Sequence, residues 1–435
     1  MKKIVTSLMM LMGLGSTVKA QVPAWIEDSV SIAPAYANDV YYSMKNDEVR
    51  TEGNKNWHLA FSLSIGDSAS VWANHNGGNT FVRVFNIHKD SSQWASVTLA
   101  DTATGVLAFN NDQGWFQGAF NDIPSADPFN YGWGKYEPTT HNIYGDSLFI
   151  VRANGIYYKL FIQKLESIPM KWTFKVGDFS GNDMTYNIDK TPDFTNRLFA
   201  YFDLANGADT NREPDINAWD ILFTRYTTNA PGSGQFPFNN VVGVLTNKGV
   251  KAARASLIHV DTAFVQYYNY SNNWNPAISA IGYNWKGFDL GTSTWLIADS
   301  NSYFIQDKPG NLYQLQFLSF GGQSTGDIKF RKRMVAPVAV TDVNSSISRY
   351  EFYPVPTQSQ LSVMLDSKEH TDAQLNIIDM AGRMIHSQKI NIQSGLNAYQ
   401  LSLGHLSNGQ YIIQIKGQHI QIRSEEHTSE LQSQR

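Results

Sequence analysis

Hydrophobic and polar residues alternate with a period of two along much of the chain. Residues 157–162 and 312–317 place an aromatic or aliphatic side chain at nearly every second position, the signature of a strand with one buried face. A strand-like run precedes each, Ser147-Leu148-Phe149-Ile150 and Ser302-Tyr303-Phe304-Ile305. Between the runs lie Ala153-Asn154-Gly155 and Lys308-Pro309-Gly310-Asn311, with the Gly, Asn and Pro that tight hairpin turns require. Long capped segments with a period of 3.6 are missing from the pattern. It predicts an all-β fold of antiparallel sheets.

The same landmarks recur in the same order. Asp39-Val40-Tyr41-Tyr42 followed by Asn56-Trp57-His58-Leu59-Ala60-Phe61 answers to Leu198-Phe199-Ala200-Tyr201-Phe202-Asp203 followed by Asn217-Ala218-Trp219-Asp220-Ile221-Leu222-Phe223. Ile87-His88-Lys89-Asp90-Ser91 answers to Ile258-His259-Val260-Asp261-Thr262, and Gly132-Trp133-Gly134 to Gly282 through Trp285-Lys286-Gly287. The two hairpins come last in each set. The repeat predicts two tandem antiparallel β-domains, residues 21–185 and 186–335, joined by a polar connection around residues 180–195. A unit of about 150 residues can bury about 68–70% of its unfolded surface, so neither needs a disulfide.

Both chain ends read differently. Lys2 and Lys3 precede a mostly apolar or small run, and Val18-Lys19-Ala20 is a small-x-small cleavage site. Residues 1–20 are therefore read as a secretory signal peptide, and no later run is apolar enough to span a membrane. Residues 423–435 resemble the translation of a common sequencing adapter.

Composition narrows the function classes. The 435 residues carry a formal net charge of −4 and no cysteine. That charge argues against nucleic acid as a partner. The missing cysteine excludes a disulfide framework, a thiolate metal site, a cysteine nucleophile and a lipid anchor on cysteine. Scattered carboxylates and the lack of a Gly-x-Ser-x-Gly or His-Glu-x-x-His motif point to a protein that is not an enzyme. Aromatic residues make up 13% of the chain and are read first as β-core.

After a linker at 336–349, residues 350–422 form a third module. It opens on Phe352-Tyr353-Pro354-Val355-Pro356, continues through Leu375-Asn376-Ile377-Ile378-Asp379-Met380-Ala381-Gly382-Arg383 and closes on Leu406-Ser407-Asn408-Gly409-Gln410-Tyr411. Val363, Leu365, Leu375, Ile377, Leu401, Leu403, Tyr411 and Ile413 alternate toward one core, as in a small β-sandwich. The module resembles the C-terminal sorting domain (type A) of the type IX secretion system. The resemblance implies that residues 350–422 engage that secretion machinery, and that the protein is secreted or displayed on the outer surface of a Gram-negative bacterium. The two repeats resemble the HmuY-like haem-binding family in their opening aromatic strand, Trp-x-hydrophobic-x-Phe strand and closing hairpin. That resemblance implies a surface ligand-binding protein with haem as cofactor, held by His or Met side chains.

The haem-ligand candidates are His88 and His259, which share a repeat position, and His75 in a Gly-rich turn. Each also reads as an ordinary turn or strand residue. An alternative ligand is a surface glycan, taken on aromatic faces with amide neighbours. Its candidates are Trp115, Trp133, Tyr136, Trp274 and Trp285. A structural surface role without a small-molecule ligand is the third reading. No metal site is expected.

Overall fold

The computed structural model describes residues 23–63, 69–75, 82–121, 127–190, 192–228, 239–336, 347–353, 357, 359–379, 383–407, 409, 411–417 and 421–423. The signal-peptide reading, most of the linker, and the adapter reading beyond residue 423 fall outside them. The chain divides into two compact units, Met1–Ala336 and Pro337–Arg435. Both are built almost wholly of antiparallel strands, so the fold is all-β.

The first unit holds two lobes with matching strand orders. In lobe A a large sheet centres on Ser147–Ala153, Ile156–Glu166 and Lys171–Gly177. It packs against a four-stranded sheet of Ala208–Thr210, Phe199–Asp203, Leu59–Ser62 and Val71–Ala73, in that order. In lobe B the large sheet centres on Ser302–Gln306, Leu312–Phe320 and Asp327–Ala336. Its four-stranded sheet runs Asn239–Thr246, Ile221–Thr228, Asn38–Ser43, Asp47–Gly53. Each lobe has its own core: Phe61, Trp133, Trp172 and Phe174 lie in one, and Tyr42, Phe223, Trp285 and Phe317 in the other.

The lobes are not the tandem halves that the repeat predicts. Leu59–Ser62 belongs to the first repeat, yet it pairs with Phe199–Asp203 of the second, with Tyr201 opposite Ala60. Asn38–Ser43 reciprocates, with Tyr41 opposite Leu222 of the second repeat. At the edges of the two large sheets, Ile26–Ser31 pairs with Asp327–Ala336, and Asp183–Ile188 with Lys171–Gly177. Lobe A is therefore residues 59–210. Lobe B is residues 221–336 completed by residues 26–53. The division at 185/186 falls inside lobe A, and the connection read around 180–195 contains the strand Asp183–Ile188. A period-two pattern states that a segment is a strand and which face is buried. It does not name the neighbour, and long-range pairing decides that.

The second unit is a sandwich of a three-stranded and a four-stranded sheet. Gln360–Ser367 alternates exposed or half-buried with buried residues. Val363, Leu365, Leu375, Ile377, Leu401, Leu403 and Ile413 share one core, with Tyr411 packed half-buried against it.

Candidate functional site

The lobes meet on a third apolar cluster that contains Tyr41, Trp57, Trp72, Trp115, Phe199, Tyr201, Trp219 and Tyr226. Its geometry follows from the exchanged strands, which bring equivalent residues face to face. Tyr41 meets Trp219 edge-on at 5.1 Å and 76°, and Tyr201 meets Trp57 at 5.0 Å and 80°. The two tyrosine hydroxyls lie 3.5 Å apart, where a twofold axis relating the repeats would pass. Asn74 Nδ2 donates to the carbonyls of Asn54 and Trp57, and Asn247 Nδ2 to those of Ile216 and Trp219. These side chains close the loops before Trp57 and Trp219 by the same means.

A part-enclosed cavity of about 50 Å³ for water-sized occupants lies at this junction, room for about four waters. Trp57, Trp72, Trp115, Tyr201 and Tyr226 supply aromatic wall, and Asp39, His75, Asn110, Asp112 and Arg212 supply polar wall. The twofold is broken here. Strand register makes Phe199 the counterpart of Asp39, so one side carries a carboxylate where the other carries a ring.

Asp39 is matched by Arg212, whose Nη2 lies 2.8 Å from Asp39 Oδ2 with both side chains 2% exposed. Thr224 Oγ1 donates to Asp39 Oδ1 at 2.6 Å, and Arg212 Nε donates to Asn56 Oδ1 at 3.1 Å. The guanidinium also lies 5.0 Å from the Tyr201 ring centre. A buried charge pair repays its desolvation only when its remaining donors and acceptors are engaged in this way. Desolvation pulls the Arg212 pKa down, but the Tyr41 and Asp39 oxygens outweigh it and hold it above the ordinary value. Next in sequence, Glu213 is buried and accepts from the Leu198 and Phe199 amides at 2.9 and 3.1 Å. Burial pushes its carboxyl up to about 7 against those hydrogen bonds.

His75 is the one haem-ligand candidate that lines the cavity. It is 2% exposed, its Nδ1 lies 3.1 Å from the Val82 carbonyl oxygen, and burial lowers its pKa to about 4. His88 and His259 lie elsewhere, one on each lobe. His88 is exposed at φ 53, where the pairing of Val82–Asp90 with Ser147–Ala153 shifts register. His259 caps the helix Val260–Val265, its side chain 72% exposed and its Nδ1 accepting from the Asp261 amide. A short helix follows in both repeats, capped by Asp90 two residues beyond His88 in the first and by His259 itself in the second.

The five aromatic candidates for a glycan surface do not form one. Trp133 and Trp285 are 0% and 1% exposed in the two lobe cores, and Trp115 is 7% exposed in the junction. Trp274 packs against a satellite cluster with Phe304, and Tyr136 stacks on Phe129 and bonds His141. Burial of the Trp115, Trp133 and Trp285 rings removes the flat exposed platform at those three positions, and Trp274 and Tyr136 stand apart from them as half-buried rings.

Arg212 and Glu213 escaped the sequence reading. They stand in Thr210-Asn211-Arg212-Glu213-Pro214, a polar stretch with the composition of a solvated turn. Only the exchange of strands buries it. His58 was legible as the residue that replaces Asp220 in the repeat. Its Nδ1 takes the Leu204 amide at 3.1 Å, as Asp220 Oδ2 takes the Met44 amide at 2.7 Å. Both side chains are acceptors for the same turn.

Comparison with known proteins places the second unit. Residues 351–425 match the family described as the secretion system C-terminal sorting domain. The tail is a type IX sorting domain, and the protein is exported by that system to the cell surface or the exterior. Among the described residues no helix is long and apolar enough to cross a membrane. No curated protein matches the chain. Among solved structures, dimeric latent PorU from Porphyromonas gingivalis is similar at 8% identity, with a TM-score of 0.16, over 92% of this chain. The chain spans 33% of that protein's length, and a likeness at this level carries no argument about the fold or function of the lobes.

Proposed function

We propose that this chain is a non-enzymatic binding protein, carried out of the cell by its sorting domain, and that it holds a small ligand in the cavity between its two lobes. One observation carries the reading. Trp57 Nε1, His75 Nε2 and the Tyr226 hydroxyl are buried and have no hydrogen-bonding partner in the protein, and all three residues line the cavity. A buried polar group left unpaired costs about 1–3 kcal/mol, so a ligand onto which these side chains can turn gains that amount on binding. The carboxylates of the lining are already engaged: Asp39 by Arg212 and Thr224, Asp112 by Thr228 and Gln113. That supports holding a ligand over acid–base turnover of one.

Haem, the ligand implied by the HmuY-like resemblance, is the weaker reading. His75 is directed to the Val82 carbonyl within a cavity for about four waters, and His88 and His259 are surface residues of separate lobes. Thermal unfolding of the secreted chain against amino acids, nucleosides, monosaccharides and hemin is the test. The expected result is a concentration-dependent rise in Tm with one class and no consumption of the compound. A flat response across the panel, or turnover of the bound compound, overturns the proposal.

A further inference from the structure

We propose that the strand Ile26–Ser31 is an exchangeable arm whose partner is a second copy of this chain, each copy lending its arm to the other's lobe B. The arm is the edge strand of the large sheet, paired with Asp327–Ala336. Val30 and the following Ile32 sink into the lobe B core, and Asp28 Oδ2 accepts from the Tyr42 hydroxyl at 2.6 Å. Just ahead of the arm, Trp25 lies over the Arg331 and Arg333 guanidiniums at 4.5 and 4.1 Å. All these partners belong to the part of lobe B that stays in place, residues 38–53 and 221–336. An arm arriving from another copy finds the same seat, which makes exchange a low-cost route to a dimer.

The loop that carries the arm supplies the drive. Six residues, Ile32 to Ala37, turn the chain from the arm into Asn38–Ser43. Three of them are non-glycine residues at positive φ: Ala33 at φ 62 and ψ 166, Ala35 at φ 56 and Tyr36 at φ 59. The first combination belongs almost wholly to glycine, and left-handed backbone is costly for alanine and tyrosine. The loop is pinned at both ends. The Ile32 amide donates to the Gly326 carbonyl, and Asn54 Nδ2 to that of Tyr36. Lobe A builds the same element without this strain. Asp183–Ile188 takes the matching edge position, and ten residues, 189–198, lead on to Phe199–Asp203. Among their described members Asn196 alone has a positive φ, and asparagine tolerates it. A short strained hinge favours exchange, because the arm keeps its contacts in the exchanged form while the hinge opens out. Asn38–Ser43 stays behind, held through Asp39 by Arg212 and Thr224.

The chain has no cysteine, so a crosslink can be placed without background. Ser29 and Lys329 are exposed and stand opposite one another in the pairing, a separation that a disulfide spans. The test incubates full chain carrying Ser29→Cys with differently tagged full chain carrying Lys329→Cys, at high concentration in a glutathione redox buffer. We expect a disulfide-linked heterodimer in clear excess over either homodimer. Sedimentation of the parent chain should show a matching monomer–dimer equilibrium. Inserting Gly-Asn-Gly after Ala35 brings the loop close to the length of its lobe A counterpart. That variant should unfold no earlier than the parent and dimerise about tenfold more weakly. A parent chain that sediments as a monomer at every concentration overturns the proposal. A heterodimer no more abundant than the homodimers also overturns it, as does dimerisation that the longer loop leaves undiminished.

Discussion

Lobe A and lobe B share a strand order but not a supply of chain. Lobe A is drawn from one stretch, residues 59–210. Lobe B takes residues 221–336 and borrows residues 26–53 from the far end. The difference comes from a reciprocal exchange, in which each repeat gives its opening strands to the other. Two segments with the same hydrophobic pattern can pair in cis or across the repeat, and the local pattern stabilises both arrangements equally. The exchange turns Tyr41 on Trp219 and Tyr201 on Trp57 into contacts between repeats, each worth about 0.5–1.5 kcal/mol beyond burial.

The comparison breaks most severely if the borrowed segment is removed. Deleting residues 26–53 takes Val30, Ile32, Val40, Tyr42 and Met44 out of the lobe B core. Losing one such side chain costs about 2–5 kcal/mol, and the whole fold is worth about 5–15 kcal/mol. Hydrogen exchange should therefore show Ser302–Gln306 and Leu312–Phe320 unprotected. A circular permutant that joins residue 336 to residue 26 and opens between 53 and 59 should keep its Tm within a few degrees. The antiparallel pairing of Ile26 with Lys332 holds those ends near one another. A permutant that fails to fold would refute the lobe boundaries given above.

A smaller effect tests the broken twofold. Asp39→Asn leaves Arg212 buried without its counter-charge and should cost about 3–5 kcal/mol in chemical denaturation. The double variant Asp39→Phe/Arg212→Leu copies the apolar side, where Phe199 stands, and should recover most of that loss. Smaller again is the pH dependence of Glu213. Its carboxyl rises from 4.5 to about 7 on folding, so the folded chain keeps a proton that the unfolded chain releases. Its stabilising contribution is complete below pH 4.5 and is lost as pH rises toward 7, about 3 kcal/mol in all. Glu213→Gln should flatten that slope, measured as Tm between pH 4 and 8.

The strands and the repeat were legible because both are local. The segments that hold Tyr41 and Tyr201, and those that hold Trp57 and Trp219, were matched from the sequence, and these residues occupy matching places in the structure. The sorting-domain core was legible for the same reason, since Val363 and Leu365 alternate within one strand. The exchange was not legible, because nothing in residues 38–43 distinguishes a neighbour in its own repeat from one 180 positions away. The site went unread with it. Asp39 and Arg212 look like surface charges until Asn38–Ser43 is laid against Ile221–Thr228, and only then do they face each other, both buried, at the junction.

The pairing of Ile26–Ser31 with Asp327–Ala336 bears on the order of assembly. The first strand of the described chain waits for the last strand ahead of the sorting unit, across some three hundred residues. Contacts of such separation form late. A nascent or translocating chain therefore cannot close lobe B until the final segment of the unit has been delivered. Any product truncated before Asp327 leaves Ile26–Ser31 as an unpaired edge, open to proteolysis or to pairing with other chains. The clasp works as a completeness check: lobe B is finished only when the strand immediately upstream of the export signal is in place.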